Sequence, residues 1–175
     1  GNIKFHHRLE HHMFAEMIDL YANRRYVASA MVGVVLYEKL FTTRLIREDT
    51  EFSGTPSQHN VNEQLRHLKE SEQRIIDGTD SSKKHGLSFK EITKKLLEQN
   101  ILSKEQKCNA DNFYKTYRIP VSHGLSYRLY HTVFEEEPES PFHIDRAYEQ
   151  LYKHVSERII KEIDGLISNR VLFKS

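Results

Sequence analysis

The sequence predicts an all-α fold, an up-and-down helical bundle of four to five main helices with one or two short extra ones. Three observations predict it. Only 7 Gly and 4 Pro interrupt 175 residues, charged residues make up 29% against 38% hydrophobic ones, and apolar positions recur at helical spacing in the longest segments. A chain of this length fits one domain, residues 1–175, with enough sequence to bury a core.

From about Leu9 to Arg47 there is no proline and Gly33 is the sole glycine, which reads as one long helix or two nearly continuous ones. Met13, Met17 and Leu20 recur at i, i+4 and i+7, so its first part is amphipathic. Tyr26 to Leu40 is apolar on nearly all sides and reads as the central core helix. Glu38 stands out within it, because a carboxylate amid Leu36, Tyr37 and Leu40 needs water or a partner. It lies either on the exposed edge beside Lys39 or against the arginine and histidine described below.

Residues 50–60 carry Gly54, Pro56, Ser53, Ser57 and Asn60 and read as a loop. A polar helix follows from about Val61 to Ile76, with few apolar residues and hence a surface position. Residues 77–86, with Gly78, Asp80, Ser81 and Ser82, read as a mobile loop. Ser88 precedes Glu91 by three, a capping box that starts a helix through about Gln99, with Asn100 as its stop. Ser103 and Gln106 repeat the arrangement, so the next helix starts near Lys104 and carries Phe113, Tyr117, Arg118 and, past Pro120, His123. Leu125 to Phe134 is helical and aromatic and runs into Glu135-Glu136-Glu137-Pro138. A last helix from about Ile144 to Ile167 bears a stripe of Leu151, Val155, Ile159, Ile160, Ile163 and Leu166 that closes a bundle or a dimer.

The stretch Tyr117 to Gly124 holds the chemistry. Arg118 is a permanent cation that forks donors toward a phosphate, and His123, five residues on, takes or gives a proton near neutral pH. Together they suit phosphodiester cleavage without a metal, the ribose 2′-hydroxyl being the nucleophile. Residues five apart lie about 140° from each other around an ideal helix, so a kink at Pro120 is expected to bring both side chains to one cleft. The bland alternative pairs Arg118 with an acidic neighbour and leaves His123 to end a helix before Gly124.

Arg118, four intervening residues and His123-Gly124 resemble the Arg-x(4–6)-His signature of the HEPN superfamily. The run from Ser88 to Leu102 is similar to the helix and connection that precede the family's motif helix, and Ala28 to Leu40, with Glu38, is similar to its long acidic-residue-bearing helix. The resemblance covers roughly residues 20–135. It implies a metal-independent endoribonuclease, often of a toxin–antitoxin or defence system, working as a homodimer with RNA as substrate and with a possible antitoxin or partner protein. Arg118 and His123 would be catalytic, Glu38 would orient one of them, and Tyr117, Ser122, Arg128 and His131 would serve the substrate. No cofactor or metal is implied. Ile119 stands where the family usually has a polar residue, which favours the alternative of a non-catalytic HEPN-like module binding RNA, a nucleotide or a protein. A purely structural helical domain of a larger protein is the third reading.

Composition narrows the remaining classes. A net charge of +1 gives no broad basic field, so RNA contacts must be local. Arg24, Arg25, Arg44 and Arg47 flank the core helix as candidate backbone contacts or as solvated charges. The apolar stretch from Val27 to Tyr37 is too short to span a bilayer, and a lone cysteine, Cys108, suits a reducing cytoplasm and an inert thiol. His6, His7, His11 and His12 have chelating spacings but lack an Asp or Cys partner at a standard zinc spacing. No glycine-rich phosphate loop, nucleophile elbow or Cys-x-x-Cys pair occurs.

Overall fold

The computed structural model of the chain describes residues 8–49, 58–77 and 86–172, and every regular element among them is helical. The order is α1 (Arg8–Ala22), α2 (Tyr26–Asp49), α3 (Gln58–Glu72) with a π turn at Gln73–Asp77, α4 (Phe89–Glu98), and α5 (Lys104–Phe113). A second π turn, Tyr114–Arg118, carries α5 directly into α6 (Ile119–His123); α7 (Ser126–Phe134), α8 (Pro141–Arg146) and α9 (Tyr148–Ser168) complete the chain. The expected loop at residues 50–60 lies largely outside the described residues, as does most of the loop at 77–86.

The long apolar segment is two helices, broken at Asn23 to Arg25. Arg24 takes a positive φ of 60°, and the Arg25 amide closes the end of α1 by donating to the Leu20 carbonyl at 2.8 Å. Both capping boxes form in full: Ser88 with Glu91 at the start of α4, Ser103 with Gln106 at the start of α5. Asn100 ends α4 in the left-handed region at φ 58°, which asparagine tolerates better than most side chains. The last segment is also two helices. Ser140 caps α8 by accepting the His143 amide, and Ala147 separates α8 from α9.

Around α2 the core assembles. Val34, Leu36, Tyr37, Leu40, Phe41 and Leu45 are buried on it, and Leu151, Val155, Ile159 and Ile163 of α9 form the stripe that covers it. The expected core helix is not buried all round: Met31 and Val35 are about half exposed, along an outer edge that continues through Glu38 and Thr42. Gly33 fixes the crossing. A Cβ placed there would stand 2.5 Å from Ile159 Cγ2 and 2.9 Å from Met17 Sδ, so a larger residue would have to displace both side chains where α9 and α1 meet α2. Ser29 ties the same corner, its hydroxyl donating to the Met17 carbonyl at 2.8 Å.

Rings fill the other flank. Tyr37 packs at 4.5 Å from Phe113 and 5.1 Å from Phe41, Phe113 stacks on Tyr117 at 4.9 Å, and Phe89 stacks flat on Tyr114 at 4.2 Å. Tyr37 has no exposed surface, and its hydroxyl has no hydrogen-bond partner among the described residues. Burial first, and then the Glu162 carboxylate, push its phenol well above the ordinary range.

Two consequences are measurable by denaturant unfolding. Gly33→Ala overpacks the crossing and lowers stability by about 1–3 kcal/mol, whereas Gly165→Ala, in α9 with nothing within 4 Å of the added carbon, raises it by roughly 0.5–1 kcal/mol. Equal losses at both sites would contradict the crossing described here. Unfolded tyrosine ionises near pH ~10, so the raised folded value of Tyr37 means that stability falls as pH climbs through that range, and Tyr37→Phe removes this part of the decline.

Candidate functional site

Arg118 ends the π turn on the α2 side of the bundle. Pro120 explains the turn: it has no N–H to donate, and its ring would clash with the carbonyl four residues back in a regular helix. The chain widens before it instead, the Ile119 amide donating to the Tyr114 carbonyl five residues back. From Ile119 to His123 the helix is regular again and stops at Gly124, whose φ of 63° is the left-handed conformation glycine adopts without strain.

Three contacts hold the guanidinium. Its Nε donates to Glu38 Oε2 at 2.6 Å, Nη1 donates to the Ser122 hydroxyl, and its carbon lies 5.9 Å from the centre of the Tyr114 ring. Ser122 in turn donates to the Arg118 carbonyl at 2.6 Å, so its oxygen is oriented toward the cation. The Glu38 and Arg118 side chains are 31% and 24% exposed, which leaves the pair reachable from solvent. Nη2 has no partner among the described residues and supplies free donors. Burial first, then the Glu38 carboxylate, raise the Tyr114 phenol above its ordinary range, while Arg118 opposes them.

The pair lies in a groove of about 750 Å³ between α2 and the end of α3. Glu38, Lys39, Thr42 and Thr43 form one wall, Lys69, Glu72 and Gln73 the other, with Val35 and Ile46 as aliphatic lining and Arg118 at the edge. Lys39, Lys69 and Arg118 against Glu38 and Glu72 leave a local balance of one positive charge. Lys39 reaches the Thr43 hydroxyl at 3.5 Å.

Of the residues expected at the site, the structure brings Glu38, Arg118 and Ser122 together. Glu38 is thus not on a merely solvated edge. His123 is exposed, does not line this groove, and has no hydrogen bond to Arg118 among the described residues. Pro120 does not bring the two side chains together: a π turn ending at Arg118 precedes it, and Arg118 bonds Ser122, its i+4 neighbour, instead of His123. Tyr117 turns to the opposite side, stacked on Phe113 and beside Arg158 of α9, and burial raises its phenol. Arg128 is exposed on α7, and His131 stands 3.9 Å from Glu137. Arg44 is no backbone contact: it is 4% exposed and pairs with Glu48 at 2.6 Å.

Lys39, Thr42, Thr43, Lys69 and Gln73 were not singled out by the sequence reading. The signal was present on α2, where Glu38, Lys39, Thr42 and Thr43 interrupt an apolar run at i, i+1, i+4 and i+5 and so share a face. Nothing local points to Lys69 and Gln73, because only the docking of α3 brings them opposite.

Among the described residues no group of three or more His, Cys, Asp or Glu could hold a metal, and no helix is long and apolar enough to cross a membrane. Cys108 is exposed, with the Asn112 amide 3.7 Å from its sulfur. No family model, curated protein or solved structure matches the chain.

A half-buried ion pair with this geometry couples its partners. Glu38→Gln and Arg118→Gln should each cost roughly 1 kcal/mol, and the double variant should fall short of their sum by about 1 kcal/mol in urea unfolding. Strictly additive losses would mean that the two side chains do not pair in solution.

Proposed function

We propose that the chain is a HEPN-like, metal-independent endoribonuclease acting as a homodimer, with two Arg118–His123 sets facing one groove. The observation that carries this reading is the Glu38–Arg118 pair at 2.6 Å, which fixes a guanidinium at an open groove while its Nη2 has no partner among the described residues. A preorganised cation of this kind stabilises charge as it builds on the non-bridging phosphate oxygens. His123, exposed on the same helix, takes the proton of the ribose 2′-hydroxyl; the 2′-oxygen bonds to phosphorus, the 5′-oxygen leaves and is protonated, and a 2′,3′-cyclic phosphate remains. Glu38 is the positioning residue for Arg118, and the Ser122 hydroxyl holds the guanidinium plane. A role in a toxin–antitoxin or defence system, with an antitoxin or other partner protein, belongs to the same reading.

The second reading is a non-catalytic module of the same kind that binds RNA, a nucleotide or a protein. Two observations favour it. Ile119 occupies the position after the arginine, and Arg118 and His123 do not meet within one chain.

Incubation with mixed RNA in EDTA, beside His123→Ala and Arg118→Ala, separates the two. Cleavage to cyclic-phosphate ends, reduced at least about a hundredfold by either substitution, is the expected result. Folded protein that leaves every RNA intact would overturn the nuclease and favour the binding module, and cleavage surviving both substitutions would remove these residues from the mechanism.

A further inference from the structure

We infer that the groove between α2 and α3 is a track for a single extended polynucleotide strand, in which Lys39 and Lys69 on its two walls take phosphates near the one held by Arg118 at its edge. The inference rests on the reading that the Arg118 groove receives RNA. It goes further in naming the strand's path, its single-stranded form and two contact residues outside the Arg118–His123 motif.

Three features carry it. Cations stand on both walls and at the edge: Lys39 on α2, Lys69 on α3 and Arg118 at the end of the π turn. Flexible ammonium groups follow a backbone as point charges, whereas the guanidinium, gripped by Glu38 and Ser122, marks one fixed position. Thr42 and Thr43 add hydroxyls on the same wall, and Val35 and Ile46 give the faces of unstacked bases an aliphatic surface. The volume, about 750 Å³, is that of some 25 waters at roughly 30 Å³ each, room for a short run of nucleotides. A duplex keeps its bases paired and stacked, so it cannot offer their faces to Val35 and Ile46. Glu72 is the opposing feature. Exposed on the α3 wall, it repels the same phosphates and caps the affinity at a modest level.

That arrangement gives substitutions of opposite sign within one groove. The probe is a 2′-O-methyl oligonucleotide, which lacks the free 2′-hydroxyl and is not cut, so binding is read independently of cleavage. Its affinity is measured by fluorescence anisotropy across a salt series for the full chain, with a duplex of the same sequence in parallel. Lys39→Gln and Lys69→Gln should each weaken binding several-fold and lower the salt slope by about 0.7. Glu72→Gln should tighten binding, and Lys94→Gln, which removes a charge from the exposed face of α4, should leave the slope unchanged. Thermal melts of all four variants should match wild type, since each residue is solvent-reachable.

Slopes unaffected by both groove lysines, equal losses from Lys94→Gln, or tighter binding of the duplex would each overturn the track. The ribonuclease reading fails separately. If RNA is never cleaved but the groove variants shift the slopes as stated, the track stands and belongs to a binding module. If RNA is cleaved while the slopes ignore Lys39 and Lys69, the nuclease stands and its substrate lies elsewhere.

Discussion

The missing side chain at Gly33 is the constraint on which the arrangement depends. With Ile159 Cγ2 only 2.5 Å and Met17 Sδ 2.9 Å from where a Cβ would stand, α9 and α1 both close down on α2 at one point, and the longest helix is held from two sides. Glu38 lies five residues further on, about 140° around the axis, and therefore faces away from that crossing. The grip on the inner face of α2 is what aims its outer edge, with Glu38, Lys39, Thr42 and Thr43, at the groove.

The second fixed point is the wide turn before Pro120. A proline inside a regular helix costs about 3 kcal/mol or more, and the π turn at Tyr114–Arg118 removes the clash by giving one turn an extra residue. That residue resets the register of everything after it. Arg118 comes to lie over the Tyr114 ring and against Glu38. The same reset puts His123 outside the groove. Arg118 and His123 therefore lie on different aspects of the chain although only five residues separate them.

How much of this was legible depended on the range of the cause. Capping boxes at Ser88 and Ser103 act within three residues, so both helix starts could be read from sequence and both are fully bonded. The α9 stripe and the buried run on α2 were legible for the same reason, since periodicity records which face is covered. The breaks at Asn23–Arg25 and Ala147 were not resolved, because Arg24 takes its left-handed conformation without a glycine to announce it, and α8 merges with α9 in apolar spacing. Glu38 could be flagged as a carboxylate in need of a partner but not assigned one, its partner being eighty residues away. Pro120 signalled an irregularity, and the side on which it would be absorbed was not in the sequence. Tyr117 showed the limit most plainly: adjacent to Arg118 in the chain, it faces α9 because of that same extra residue.

The ring stack also determines how the protein can be observed. With no tryptophan in the chain, its near-ultraviolet absorption and emission come chiefly from nine tyrosines. Three of them, Tyr37, Tyr114 and Tyr117, belong to the cluster that joins α2 to the helix bearing Arg118. Tyr114 lies directly beneath the guanidinium, so its ring senses the charge above it while sharing a face with Phe89. The molecule therefore carries its own optical label at the junction of core and groove, where loosening of the bundle and events at Arg118 register as distinct changes in one unmodified chromophore set.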